Sequence, residues 1–179
     1  MEISNPVIKI TSLAQVCLIV KDRDSAMKKL WETFGIGPWN VRVRDSRSSD
    51  EAWRISDCTY YGKPAELGFK VATTVNKVDG VFIELIQPLF GQNIFSDFLK
   101  ENGEGIQHLG WYTAQTQDEF KDAWHKLEAA GFPCIQSGRN IALDFAFFDT
   151  KKILGTTLEM LWRNPAMKTP PPQYIYPKI

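Results

Sequence analysis

Val81-Phe82-Ile83-Glu84-Leu85-Ile86-Gln87-Pro88 and Thr156-Thr157-Leu158-Glu159-Met160-Leu161-Trp162 are two apolar stretches, each with one carboxylate near its middle. Side chains on a strand alternate between faces, so Glu84 shares a face with Phe82 and Ile86, and Glu159 with Thr157 and Leu161. Each carboxylate points where apolar residues also point. Upstream of each lies another strand pattern with one potential metal ligand: Gln15 in Leu13-Ala14-Gln15-Val16-Cys17-Leu18-Ile19-Val20, and His108 in Ile106-Gln107-His108-Leu109-Gly110-Trp111. Gln15 pairs with His108 and Glu84 with Glu159, so the chain reads as two copies of one unit.

The segments between agree. The first strand ends at Lys21-Asp22-Arg23-Asp24-Ser25, where Asp24 or Ser25 is placed to cap a helix. Ala26, Met27, Leu30, Trp31 and Phe34 then fall at helical spacing, and Gly35-Ile36-Gly37-Pro38 stops the pattern. In the second half Thr116-Gln117-Asp118-Glu119 is a cap, Phe120, Ala123, Trp124, Leu127 and Ala130 form the stripe, and Gly131-Phe132-Pro133 is the stop. Three strand candidates follow each helix: Trp39 to Arg44, Leu67 to Thr73 and Val81 to Gln87, then Cys134 to Ser137, Leu143 to Phe148 and Thr156 to Trp162.

The order βαβββ, twice, predicts an α+β domain over residues 1–163. Its two paired units, about 10–92 and 105–163, form a curved mixed sheet around a metal pocket. Gln15 and Glu84 are 69 positions apart, His108 and Glu159 51, so the first unit carries an insertion of about 18 residues, placed within 45–66. A short helix is expected over Ile94 to Lys100. The tail, 164–179, holds Pro165, Pro170, Pro171, Pro172 and Pro177, and is expected to be extended with no strand or helix of its own.

With 179 residues, 44% apolar content and 21 basic against 21 acidic side chains, the composition is that of a soluble globular chain. No basic stripe suits nucleic acid and no apolar run approaches the roughly 20 residues that cross a bilayer, so neither is expected as a partner. The opening residues lack the pattern of an export signal, which points to the cytoplasm. Cys17, Cys58 and Cys134 form no CxxC pair, and Cys17 and Cys134 read as small core residues.

One imidazole, one amide and two carboxylates suit one divalent metal ion of intermediate hardness: zinc, slightly favoured, or cobalt, nickel, manganese or iron. Such an ion keeps positions open for the carbonyl and hydroxyl oxygens of a small-molecule substrate and lowers the cost of an enolate. Trp39, Trp53, Tyr60, Tyr61 and Trp111 are expected in the substrate pocket, with Trp53, Tyr60 and Tyr61 on the insertion as an aromatic lid. Arg42 and Arg44 read as solvated surface charge.

The repeated βαβββ units and the four positions Gln15, Glu84, His108 and Glu159 resemble the vicinal oxygen chelate superfamily over about Leu13 to Trp162. The ligand set is similar, type for type and in order, to that of zinc-dependent glyoxalase I. Phe34-Gly35-Ile36-Gly37-Pro38-Trp39, Tyr61-Gly62-Lys63-Pro64-Ala65, Glu84-Leu85-Ile86-Gln87-Pro88-Leu89, Glu104-Gly105-Ile106-Gln107-His108-Leu109-Gly110 and Leu154-Gly155-Thr156-Thr157-Leu158-Glu159 resemble methylmalonyl-CoA epimerase and related glyoxalase-like proteins. The resemblance implies an isomerase or lyase that removes a proton next to a carbonyl, with Glu159 as the base, and pairing of the chain as a homodimer; the aromatic insertion points to a small apolar or aromatic compound as substrate.

Departures from the family patterns narrow this. Ile19 stands where glyoxalase I has an arginine for the glutathione carboxylate, which argues against glutathione. Gly68, rather than Glu66, falls at the second catalytic glutamate of the epimerase. An acyl-CoA epimerase, a metal-free binder resembling bleomycin-resistance proteins and an oxygen-dependent iron enzyme remain as alternatives.

Overall fold

The computed structural model describes residues 5–10 and 12–178. Met1 to Ser4, on which the export reading partly rests, lie outside it, as does Ile179 at the end of the tail. The first unit contains β1 (Leu13–Ile19), α1 (Arg23–Phe34), β2 (Trp39–Asp45), the inserted hairpin β3 (Ser56–Tyr60) and β4 (Lys63–Pro64), β5 (Gly68–Thr74) and β6 (Phe82–Phe90). After the connecting helix α2 (Ile94–Asn102) come β7 (Gly105–Tyr112), α3 (Gln117–Ala129), β8 (Cys134–Asn140), β9 (Leu143–Phe148), a single helical turn α4 (Lys151–Leu154) and β10 (Thr157–Arg163). The tail adds β11 (Tyr174–Tyr176).

All of these strands join one sheet in the order β11-β2-β5-β6-β1-β7-β10-β9-β8-β3-β4. The duplication is visible in that order. Read outward from the centre, β1-β6-β5-β2 is matched by β7-β10-β9-β8, and β1 meets β7 antiparallel on the axis of the repeat. In both units the first strand lies parallel to the last, which places the two strands of each unit that carry the candidate ligands side by side. Helices α1 and α3 lie against the convex face. The clusters there, Met27, Trp39, Val41 and Leu85 on one side, Phe120, Leu127, Met160 and Trp162 on the other, are built from the residues of opposite parity to the ligands.

Local signals account for the helix ends, with two differences from the sequence reading. Asp22, not Asp24 or Ser25, caps α1, its side chain accepting from the backbone N–H groups of Asp24 and Ser25. Gly35 closes α1 in the left-handed region, φ 67°, which L side chains rarely adopt. Phe34 is 69% exposed, because α1 buries only the narrower stripe around Met27. For α3 the Thr116–Glu119 capping box forms, and Phe120, Ala123 and Leu127 are buried as their spacing predicts.

The two ends of the eight-stranded repeat are covered rather than left as free edges. The insertion crosses to the second unit, where β3 pairs with β8. The tail, expected to hold no strand, pairs β11 with β2. Proline blocks ladder hydrogen bonds only where it stands, and Tyr174-Ile175-Tyr176 is a three-residue gap between prolines. No described helix is long and apolar enough to cross a membrane.

Candidate metal centre

The concave face of the sheet carries every second residue of the central strands. Across β6, β1 and β7 one row runs Glu84, Cys17, His108, and the ladder continues to Thr157 on β10. The next row places Gln15 opposite Gly110, and Gly110 opposite Glu159. Duplication plus strand parity therefore gathers four side chains that are up to 144 positions apart.

They meet closely. Gln15 Nε2 donates to Glu159 Oε2 at 2.7 Å and to Glu84 Oε2 at 3.1 Å. His108 Nε2 lies 3.4 Å from Glu159 Oε2 and 3.6 Å from Glu84 Oε2, yet it makes no hydrogen bond, although it is buried. A buried, unpartnered nitrogen facing two carboxylate oxygens is costly in a polypeptide alone and is what a cation requires.

Neighbours hold each group in place. Gln107 Nε2 donates to Thr157 Oγ1 at 3.4 Å, which turns its Oε1 towards His108 Nδ1, 2.6 Å away. A carbonyl oxygen only accepts, so Nδ1 carries the proton and, in the neutral ring, Nε2 presents its lone pair to the site. The imidazole packs edge to face on Phe147, ring centres 4.9 Å apart. Thr73 Oγ1 donates to the outer oxygen of Glu84 at 3.4 Å. A half-turn of the Gln15 amide exchanges Nε2 for Oε1 and offers a cation a neutral oxygen.

The electrostatics favour positive charge here. Burial pushes the His108 pKa down, but the Glu159 carboxylate beside Nε2 opposes this, and the pKa is raised. Burial raises Glu159 as well, against the opposing pull of His108. The charge arrangement that draws a proton onto Nε2 also attracts a metal ion.

Cys17 had read as a small core residue. It is fully buried, and its sulfur lies within 4.8 Å of ligand atoms of both Glu84 and His108. Burial above all pushes its thiol up to about 12, so it stays protonated and borders the centre as a neutral wall. Cys17 shares the parity of Gln15, and counting two along the strand would have found it.

The centre lies on a cavity of about 260 Å³. Phe69, Val71, Phe95, Phe145 and Phe147 form much of its apolar wall, and Arg42, Arg44 and Arg163 also line it. The five aromatic residues expected in the pocket line it nowhere; the wall is drawn from other side chains. Trp39 and Trp111 have the wrong parity, odd numbers of residues from Arg42 and His108, and pack into the convex-face clusters. Trp53 sits in the turn before β3. Tyr60 donates to Asp97 on α2, and Tyr61 is 58% exposed at the end of β3. The insertion, having crossed to the far edge, contributes Ile55 to the cavity instead.

Residues 14–147 match the profile of the Glyoxalase/Bleomycin resistance protein/Dioxygenase superfamily. The chain belongs to this superfamily. No curated protein matches the chain. Among solved structures, methylmalonyl-CoA epimerase from Mycobacterium tuberculosis is similar, with a TM-score of 0.58 and 19% identity over 91% of this chain and 95% of that one. A variant of the Streptomyces coelicolor methylmalonyl-CoA epimerase in complex with 2-nitronate-propionyl-CoA gives 0.54 and 16%, over 86% and 97%. A mutant 4-hydroxymandelate synthase from Streptomyces coelicolor gives 0.51 and 15%, over 89% of this chain and 50% of that one. At these identities the likeness is one of fold, and it agrees with the superfamily architecture of paired βαβββ units.

Proposed function

We propose that this superfamily member is a divalent-metal-dependent isomerase or lyase that removes a proton next to a carbonyl of a small organic molecule. The observation that carries the reading is His108 Nε2: buried, without a hydrogen bond, and 3.4 and 3.6 Å from two carboxylate oxygens. Gln15, Glu84, His108 and Glu159 would hold the ion, and three oxygen donors with one imidazole fit zinc or a neighbouring first-row divalent metal. Bound there, it supplies Lewis-acid polarisation of a carbonyl oxygen.

The chain's own residues do the rest. Glu159, whose carboxylate borders the cavity, accepts the proton at a carboxylate oxygen. The aromatic wall around Phe95, Phe145 and Phe147 seats an apolar substrate body and keeps water from the carbanion. Gly68 stands where the epimerase pattern has its second base, and the nearby Glu66 is exposed and outside the cavity wall, which supports one-base chemistry over epimerisation.

Metal analysis of protein purified without chelator tests the reading: about one tightly held divalent ion per chain is expected. Absence of the ion, with small-molecule binding unchanged by chelation, would instead support a metal-free binding protein. Deuterium uptake at the carbon beside the carbonyl, followed by proton NMR in heavy water over a panel of small ketones and aldehydes, then identifies the substrate.

A further inference from the structure

Three arginines face the metal centre across the cavity. Arg42 and Arg44 alternate on the concave face of β2, and Arg163 stands on β10, four residues beyond Glu159. None of the three is in an ion pair among the described residues, whereas Arg23, Arg47, Arg54 and Arg139 are, each with a neighbouring carboxylate. Arg44 is only 8% exposed, and its identified hydrogen bond is from Nη1 to the carbonyl of Ala52 at 2.8 Å. Arg42 donates from Nη2 to the carbonyl of Pro170, and its Nε is buried with no partner. Arg163 donates to Thr169 Oγ1 and to the Tyr112 hydroxyl. The adjacent tail residues Thr169 and Pro170 thus orient two guanidiniums over one opening.

The charge is unbalanced. The ionised side chains in the cavity wall are these three guanidiniums and the two carboxylates of Glu84 and Glu159. A divalent cation neutralises the two carboxylates and leaves three positive charges with no counter-ion. Burial and the like charge of Arg163 pull the Arg42 pKa down, and burial with the charge of Arg42 lowers that of Arg44 to about 10. Holding like charges close together, with Arg44 buried among them, costs stability, and the cost is offset when an anion binds.

We propose that Arg42, Arg44 and Arg163 form the docking wall for a carboxylate carried by the substrate, so that the substrate is a small organic anion with an apolar body. The word substrate rests on the reading above; the anion site itself does not. Guanidinium is planar and matches a carboxylate with two parallel hydrogen bonds, and the apolar wall beside it suits a hydrocarbon or aromatic body.

Calorimetry on the full chain with benzoate, neutral benzamide and phenyl phosphate tests this, in metal-loaded protein and after the metal is stripped and the chelator dialysed away. Benzoate is expected to bind at least about tenfold more tightly than benzamide in both forms. Arg163→Met, at an exposed position that the fold tolerates, and Arg42→Met should each weaken benzoate about tenfold or more and leave benzamide unchanged. Benzoate that fails to bind, binds no better than benzamide, or ignores both replacements overturns the proposal. Benzoate binding that disappears with the metal also overturns it, because the carboxylate then reads the ion alone. Phenyl phosphate binding tenfold more tightly than benzoate would overturn the carboxylate assignment in favour of a phosphoryl group. Arginine-dependent benzoate binding by a protein that retains no metal would retire the metalloenzyme reading and leave the anion site standing.

Discussion

Gly110 lies directly opposite Glu159 across the β7–β10 ladder, and a Cβ built at Gly110 would sit 2.7 Å from Glu159 Oε2 and 2.6 Å from Gln15 Cγ. Two candidate ligand side chains occupy the volume that any other residue at 110 would fill. Gly110→Ala should therefore displace Gln15 and Glu159, lower cation affinity about 10- to 100-fold and destabilise the fold by about 1–3 kcal/mol. Competition with a metallochromic chelator and a denaturant titration measure the two effects. Unchanged affinity would mean that the ligands are not gathered as described.

Glu159→Gln keeps the shape of the side chain and its place opposite Gly110 but removes the proton acceptor. Turnover of the substrate, once identified, should fall about 10²- to 10⁴-fold, with the circular dichroism spectrum unchanged. Near-normal turnover would remove Glu159 from the role of base.

The capping box of α3 joins Thr116 Oγ1 to the Glu119 N–H at 3.2 Å and Glu119 Oε2 to the Thr116 N–H at 3.3 Å. Thr116→Ala should lower stability by about 1 kcal/mol, read as a shift in denaturation midpoint without a change in slope. Metal content should not move, since α3 packs on the convex face.

At α1 the Asp22 carboxylate is held below the usual range, chiefly by the backbone N–H of Ser25, with its hydroxyl and the Asp24 N–H adding to the effect. A depressed folded pKa stabilises the fold fully above the unfolded value of about 3.9, and that contribution is lost as pH falls through the lower folded value. Asp22→Ala should melt below the parent at pH 7, and the gap between the two should narrow as the pH is taken below 4. A gap independent of pH would show that the carboxylate charge plays no part in the cap.

The duplication, its strands and helices, and the four candidate ligands were legible because each rests on local pattern. Period-two strands fix which side chains share a face, and the same unit written twice fixes which strands correspond. Trp39 and Trp111 show the limit of reading aromatics by type: both are large and near ligand strands, yet parity sends them to the convex face. Arg42 and Arg44 show the converse, since alternating charge on a strand looks like a solvated edge until the pairing of β2 with β5 turns that face into the cavity. The crossing of the insertion to β8 and of the tail to β2 had no local signal at all.

The amino-acid order alone thus determined the paired βαβββ architecture and the amide, imidazole and two carboxylates that the sheet brings together, because both follow from periodicity along the chain. Only the tertiary structure decided what surrounds them: the thiol of Cys17, the bare backbone of Gly110, the three arginines of the cavity wall and the tail that orients two of them. Those placements depend on which strands lie beside which and on where covering segments come to rest, and contacts between residues so distant in sequence leave no period to read.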